Sequence, residues 1–157
     1  MPTRSAGILL YRRGAGDLEV LLGHLGGPLW AKKDDGAWGI FKGEYAPGEE
    51  DPLDAARREF EEETGSPPPA SEPLALGEAR QSTGKLVVAW ALEGDLDADS
   101  VESNSFEMEW PPRSGRRESF PEIDRAAWFD TATARRKLLP AQVAFVDELE
   151  RLLLQPG

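Results

Sequence analysis

The residues best suited to chemistry are gathered in one stretch, Arg57-Arg58-Glu59-Phe60-Glu61-Glu62-Glu63-Thr64-Gly65. A helix turns by about 100° per residue, so Glu59, Glu62 and Glu63 share an arc of roughly 100° while Glu61 points elsewhere. Leu53, Ala56 and Phe60 fall on the neighbouring arc and can dock the helix on a sheet. The three carboxylates then sit at the rim of the buried face. That is a poor arrangement for structure alone. Like charges at i,i+3 and i,i+4 each cost about 0.2–0.5 kcal/mol, and carboxylates in a last turn oppose the helix dipole at about 0.3–1 kcal/mol apiece. A divalent cation removes both penalties. Mg²⁺ suits the cluster because it takes oxygen ligands and keeps waters for bridging to phosphates. A solvated acidic helix end is the alternative.

Holding these groups in place takes a helix with firm ends and a sheet beneath it. Asp51 is suited to cap the helix, Pro52 to begin it and Gly65 to end it, with Pro67-Pro68-Pro69 barring continuation. Strands are expected at 5–11, 18–22, 74–81, 85–92 and 126–129, with a short apolar piece at 38–41. Turn chemistry occupies 12–17, and loops are expected at 26–36 and 42–50. The polar stretch 93–121 is longer than an ordinary connection and is expected to be a functional loop or lid. Helices are expected at 132–139 and 140–154. Strands, one helix, strands, then helices predict a mixed α/β sandwich.

Composition narrows the classes. The 157 residues, 39% of them hydrophobic, fit a single domain over 1–157 with one core. The absence of cysteine and the single histidine, His24, exclude thiolate nucleophiles and multi-histidine metal sites. A formal net charge of −11 excludes broad binding to nucleic acid or anionic membrane. No apolar run is long enough to span a bilayer and no signal-peptide core opens the chain, so a cytoplasmic protein is expected.

The stretch 43–65 resembles the Nudix box, G-x5-E-x7-R-E-U-x-E-E-x-G-U, where U is bulky and apolar. Arg58-Glu59-Phe60-Glu61-Glu62-Glu63-Thr64-Gly65 matches R-E-U-x-E-E-x-G position by position. Glu50 stands where the first glutamate should, but the glycine before it, Gly43, is then one place too far away. Glu49 keeps the glycine spacing and moves the extra residue to the other side. Ser66 replaces the final apolar residue. Trp38-Gly39-Ile40-Phe41-Lys42-Gly43 resembles the family's W-x-x-P-K-G lead-in, and Pro121-Glu122-Ile123 resembles the strand after its substrate loop.

The resemblance implies a Nudix-like α/β/α sandwich with a mixed β-sheet and hydrolysis of a phosphoanhydride in a nucleoside diphosphate derivative. By the same resemblance, Glu59, Glu62 and Glu63 bind Mg²⁺ or Mn²⁺, with the Gly43 carbonyl as a further ligand. Arg58 holds a carboxylate, and Glu49 or Glu50 braces Arg58. The proton of the attacking water could pass to a helix carboxylate or to one from the long loop, and in family members that glutamate comes from a loop after the box. Glu107, Glu109 and Glu118 are candidates, and Glu109 is favoured because it adjoins Trp110 in the most apolar part of that loop.

Arg113, Arg116 and Arg117 are candidates to clamp a polyphosphate, balanced against a solvated role opposite the loop glutamates. Lys42, with Lys32 and Lys33, can add positive potential near the phosphates. Trp30, Trp38 and Trp110 could stack a base, although packing is the commoner role, and His24 is expected to be structural. The leading expectation is a metal-dependent pyrophosphohydrolase acting on a nucleoside or dinucleoside polyphosphate. An ADP-ribose or nucleotide-sugar pyrophosphatase, or a non-catalytic nucleotide sensor on the same fold, is the alternative. The expected partner is a small nucleotide, and a homodimer stays open.

Overall fold

The computed structural model describes residues 4–14 and 16–154; Ala15 in the expected turn at 12–17 lies outside the described residues. The strands are β1 (Arg4–Arg13), β2 (Leu18–Leu25), β3 (Trp38–Gly39), β4 (Phe41–Tyr45), β5 (Leu74–Arg80), β6 (Leu86–Glu93), β7 (Ser105–Glu109), β8 (Arg117–Pro121) and β9 (Ile123–Asp130). The helices are α1 (Pro52–Thr64), α2 (Thr131–Lys137) and α3 (Val143–Leu154), with single 3-10 turns at Ala98–Ser100 and Pro140–Gln142.

The main sheet runs β3-β2-β1-β6-β5, with β4 added on β1 and β9 on β2. β1 and β6 are parallel and the other pairings are antiparallel, so the sheet is mixed. One edge of β1 serves two partners in turn. Its first half, Arg4 to Ile8, pairs with β4, and Leu10 to Arg13 pair with β2. A chamber lies against this sheet, with Leu25 of β2 and Lys42 of β4 on its wall.

β1 is apolar on both faces because both faces are covered. Ala6, Ile8 and Leu10 share a core with Phe41 of β4 and Ala55, Ala56 and Phe60 of α1. Leu9 and Tyr11 point the other way, into a core with Phe145, Val146 and Leu149 of α3. Helices thus cover opposite faces, and the architecture is an α/β/α sandwich. No helix of the described residues is long and apolar enough to cross a membrane.

The structure differs from the sequence expectation most clearly in the segment 93–121. It holds a two-stranded sheet, β7 against β8, in register from Ser105↔Pro121 to Glu109↔Arg117. Phe106 and Met108 are half-buried while Ser105, Glu107 and Glu109 are exposed, which is the period-two pattern of a hairpin. The strand expected at 126–129 begins earlier, at Ile123, and the last helix starts only at Val143, after the 3-10 turn.

Candidate active site

α1 is held firmly at both ends. The Asp51 carboxylate accepts hydrogen bonds from the Leu53 and Asp54 backbone N–H groups at 3.1 and 3.2 Å. Gly65 adopts φ 77° and donates its N–H to the Glu61 carbonyl, a left-handed cap suited to glycine. Phe60 is buried and meets Phe41 edge-on at 5.8 Å, which fixes the rotation of the helix on the sheet. Burying such a ring is worth about 1.5–3 kcal/mol. Ala55 and Ala56 are buried with it, whereas Leu53, expected on this face, is only half-buried.

With the helix so fixed, Glu59, Glu62 and Glu63 border one cavity of about 480 Å³, with Lys42, Gly43 and Glu44 of β4 on its wall. Gly43 lies hard against Glu59, and any side chain there would collide with the Glu59 carboxylate. Burial raises the Glu59 pKa and Glu62 adds to the rise, while Arg58 opposes it.

Arg58 organises the outer side of the cluster. Its Nε and Nη2 donate to the two Glu50 carboxylate oxygens, both at 2.9 Å, and its Nη1 donates to Glu59 Oε1 at 2.8 Å. A longer contact of 3.3 Å reaches Glu62. The pair with Glu50 lowers that carboxylate's pKa and raises that of Arg58. Between Glu49 and Glu50, Glu50 therefore occupies the bracing position. The extra residue is taken up in the turn after β4, where the Glu49 and Glu50 N–H groups both donate to the Ala46 carbonyl and Gly48 takes φ 90°.

Glu63 is only 6% exposed, and its Oε2 is buried without a hydrogen-bond partner among the described residues. Burial, then the facing Glu122 carboxyl, pushes its pKa up to about 9, with Glu59 adding to the rise and Lys42 opposing it. Lys42 in turn is lowered, first by burial and then by Lys85. Glu122 sits between β8 and β9, its N–H donating to the Asn104 carbonyl and its carbonyl accepting from Gly26, so its carboxylate reaches the same chamber. The sequence reading missed it. The one available signal was its place in Pro121-Glu122-Ile123.

The favoured Glu109 is elsewhere. It is exposed on the β7–β8 hairpin and accepts from the Arg113 N–H at 2.9 Å, closing the hairpin turn. Glu107 and Glu118 are exposed on the same hairpin. Arg113, Arg116 and Arg117 lie exposed at its tip and do not line the chamber. Among the expected phosphate-binding residues, the structure brings Lys42 to the carboxylates and leaves the three arginines apart. Trp38 is buried against His24 and Phe129, which assigns it to packing. His24 is buried between Asp124, at 2.8 Å, and the Lys33 carbonyl, at 2.6 Å.

No group of three or more His, Asp or Glu side chains among the described residues is drawn together as a ready metal cage. The donor set nevertheless suits a hard cation. It is all oxygen, and the unpartnered Glu63 Oε2 faces a second carboxyl with only the desolvated Lys42, among the described residues, to offset the two.

The NUDIX domain family matches residues 1–149. The chain belongs to the Nudix family of hydrolases. Among solved structures it is similar to the Ap4A hydrolase of C. elegans in a binary complex, with 21% identity, a TM-score of 0.68 and coverage of 96% of this chain and 98% of that one. The NUDIX domain of Shewanella oneidensis NrtR complexed with ADP ribose gives 15% identity and a TM-score of 0.62, covering 98% and 89%. A mutT/nudix family protein from Listeria innocua gives 16% and 0.60, covering 99% of each chain. No curated protein matches the sequence.

Proposed function

We propose that this chain is a Mg²⁺- or Mn²⁺-dependent pyrophosphohydrolase that cleaves a phosphoanhydride in a nucleoside or dinucleoside polyphosphate. The observation that carries the reading is the Glu63–Glu122 carboxyl pair, beside Glu59 and Glu62 held by Arg58, on one chamber that also contains Lys42. Glu59, Glu62 and Glu63, with the Gly43 carbonyl, would hold the cation. A bound cation would neutralise the diphosphate and lower the pKa of an attacking water.

The chain's own residues supply the rest. Arg58, braced by Glu50, sets the direction of the Glu59 and Glu62 carboxylates and is a positioning residue. Lys42, on the wall of the same chamber, offers its charge to the phosphate chain. Glu122, open to the chamber, takes a proton from the water as its oxygen attacks phosphorus. The P–O bond to the leaving phosphate breaks, and that phosphate carries away the bonding electron pair.

Similarity to the C. elegans Ap4A hydrolase favours a long phosphate bridge. Similarity to an ADP-ribose-bound domain supports a second reading, a sugar-nucleotide pyrophosphatase. Incubation of the protein and Mg²⁺ with dinucleoside polyphosphates, nucleoside triphosphates and ADP-ribose, with every product identified, separates them. Unequal nucleotides from an asymmetric cut, or release of pyrophosphate, support the first reading. AMP plus a sugar phosphate from ADP-ribose alone supports the second. A chain that cleaves none of them contradicts both.

A further inference from the structure

We infer that Gln142 is a substrate-binding residue whose side-chain N–H donates to an oxygen on the nucleoside side of the substrate, within the phosphate chamber and next to Leu139, which that chamber shares with a second, more apolar one. The inference rests on the hydrolase reading and adds to it the direction in which the nucleotide lies.

Gln142 is fully buried, and its Oε1 accepts the Ile40 backbone N–H at 2.9 Å. Only the oxygen of an amide can accept that bond, so the orientation of the group is fixed. Its Nε2 is left buried with no partner among the described residues, and Gln142 is one of the residues lining the carboxylate chamber. An unpaired buried donor is costly, and a fold that retains one beside a cavity gains from a ligand acceptor there. Gly39 makes room for the amide, because a side chain at that position would crowd Gln142 Oε1 at 3.1 Å. The turn that carries Gln142 is itself tied to β3, the Leu139 N–H donating to the Trp38 carbonyl at 2.8 Å.

The neighbouring chamber, of about 490 Å³, shares Leu25, Lys42 and Leu139 with the first. Trp30, Pro140 and Ala141 give it apolar walls, and Ser82 and Thr83 give it a polar rim. A flat aromatic base with polar edges fits that lining, while the carboxylate and lysine chamber fits phosphates. A nucleotide spanning the two passes Leu139, whose carbonyl accepts the Gln142 N–H at 2.9 Å, and so passes Gln142 on the phosphate side of that junction.

The test compares two probes with the same uncleavable core, α,β-methylene-ADP and methylenediphosphonate, each with Mg²⁺. In wild type, the Gln142 side-chain NH₂ resonance should shift with the nucleotide and not with the diphosphonate. In Gln142→Met, calorimetry should show the nucleotide binding about tenfold more weakly, the loss of roughly one hydrogen bond to a charged or polar acceptor. Diphosphonate affinity should stay within about twofold of wild type. Melting of the variant checks that it folds, and the wild-type resonance decides the matter if it does not. An unmoved resonance with bound nucleotide, or an equal response to both probes, overturns the inference and leaves the hydrolase reading standing. A wild type that binds neither probe overturns both.

Discussion

Glu50 grips Arg58 through two hydrogen bonds of 2.9 Å, and Arg58 turns its remaining Nη1 toward Glu59 at 2.8 Å. The carboxylate eight residues before the arginine thereby orients the one directly after it. A planar guanidinium can serve both because its donors form a rigid fork.

Replacing Glu50 by Gln should therefore cut kcat/KM by about tenfold or more, since Glu59 loses its oriented partner. The pair is partly exposed, so stability should change little. Glu49→Gln should alter neither. Steady-state kinetics and melting of the two variants check this, and equal effects at both positions would remove the assignment.

Glu122→Gln should lower activity by about two orders of magnitude, the scale of a lost proton acceptor. Glu109→Gln should leave activity within about threefold, because that carboxylate closes a hairpin turn away from the chamber. Rates for both variants decide between the two glutamates.

Replacing Arg113, Arg116 and Arg117 together by Ala should likewise leave kcat and KM within about threefold, since all three stand exposed at the hairpin tip. A large rise in KM would show that the hairpin reaches the phosphates during turnover.

The raised Glu63 pKa makes a pH prediction for the metal-free protein. An unfolded chain releases this proton near pH 4.5, whereas the folded chain keeps it until about pH 9. Its contribution to stability is thus fully present below about pH 4.5, declines as the pH rises and levels off above about 9. The melting temperature of metal-free protein should fall between about pH 6 and 9. Glu63→Gln should flatten that fall, and Mg²⁺ should oppose it in wild type by binding the folded state. A slope unchanged in the variant would contradict the buried-carboxyl account.

Much of this was legible in the sequence where local rules agree. The α1 boundaries follow from Asp51, Pro52 and Gly65, each with its own backbone reason. The shared face of Glu59, Glu62 and Glu63 follows from helical period alone. The choice between Glu49 and Glu50 was not legible, because it depends on how the turn after Ala46 spends one extra residue. The β7–β8 hairpin was hidden for another reason. Its strands are short and mostly exposed, so Phe106 and Met108 stand out weakly among charged neighbours. Glu122 could not be placed without the backbone bonds to Asn104 and Gly26, which bring the β8–β9 junction across to α1.

In the proposed reaction the carboxylates of α1 bind a divalent cation and Glu122 takes the water's proton as a phosphoanhydride is hydrolysed. The most direct test of this is the rate of dinucleoside polyphosphate hydrolysis against Mg²⁺ concentration, for wild type and Glu63→Gln. Wild type should be inactive in chelator and saturate with Mg²⁺, and the variant should be slower by orders of magnitude at every concentration. Hydrolysis that persists in chelator, or a Glu63→Gln protein as fast as wild type with the same Mg²⁺ dependence, would contradict it.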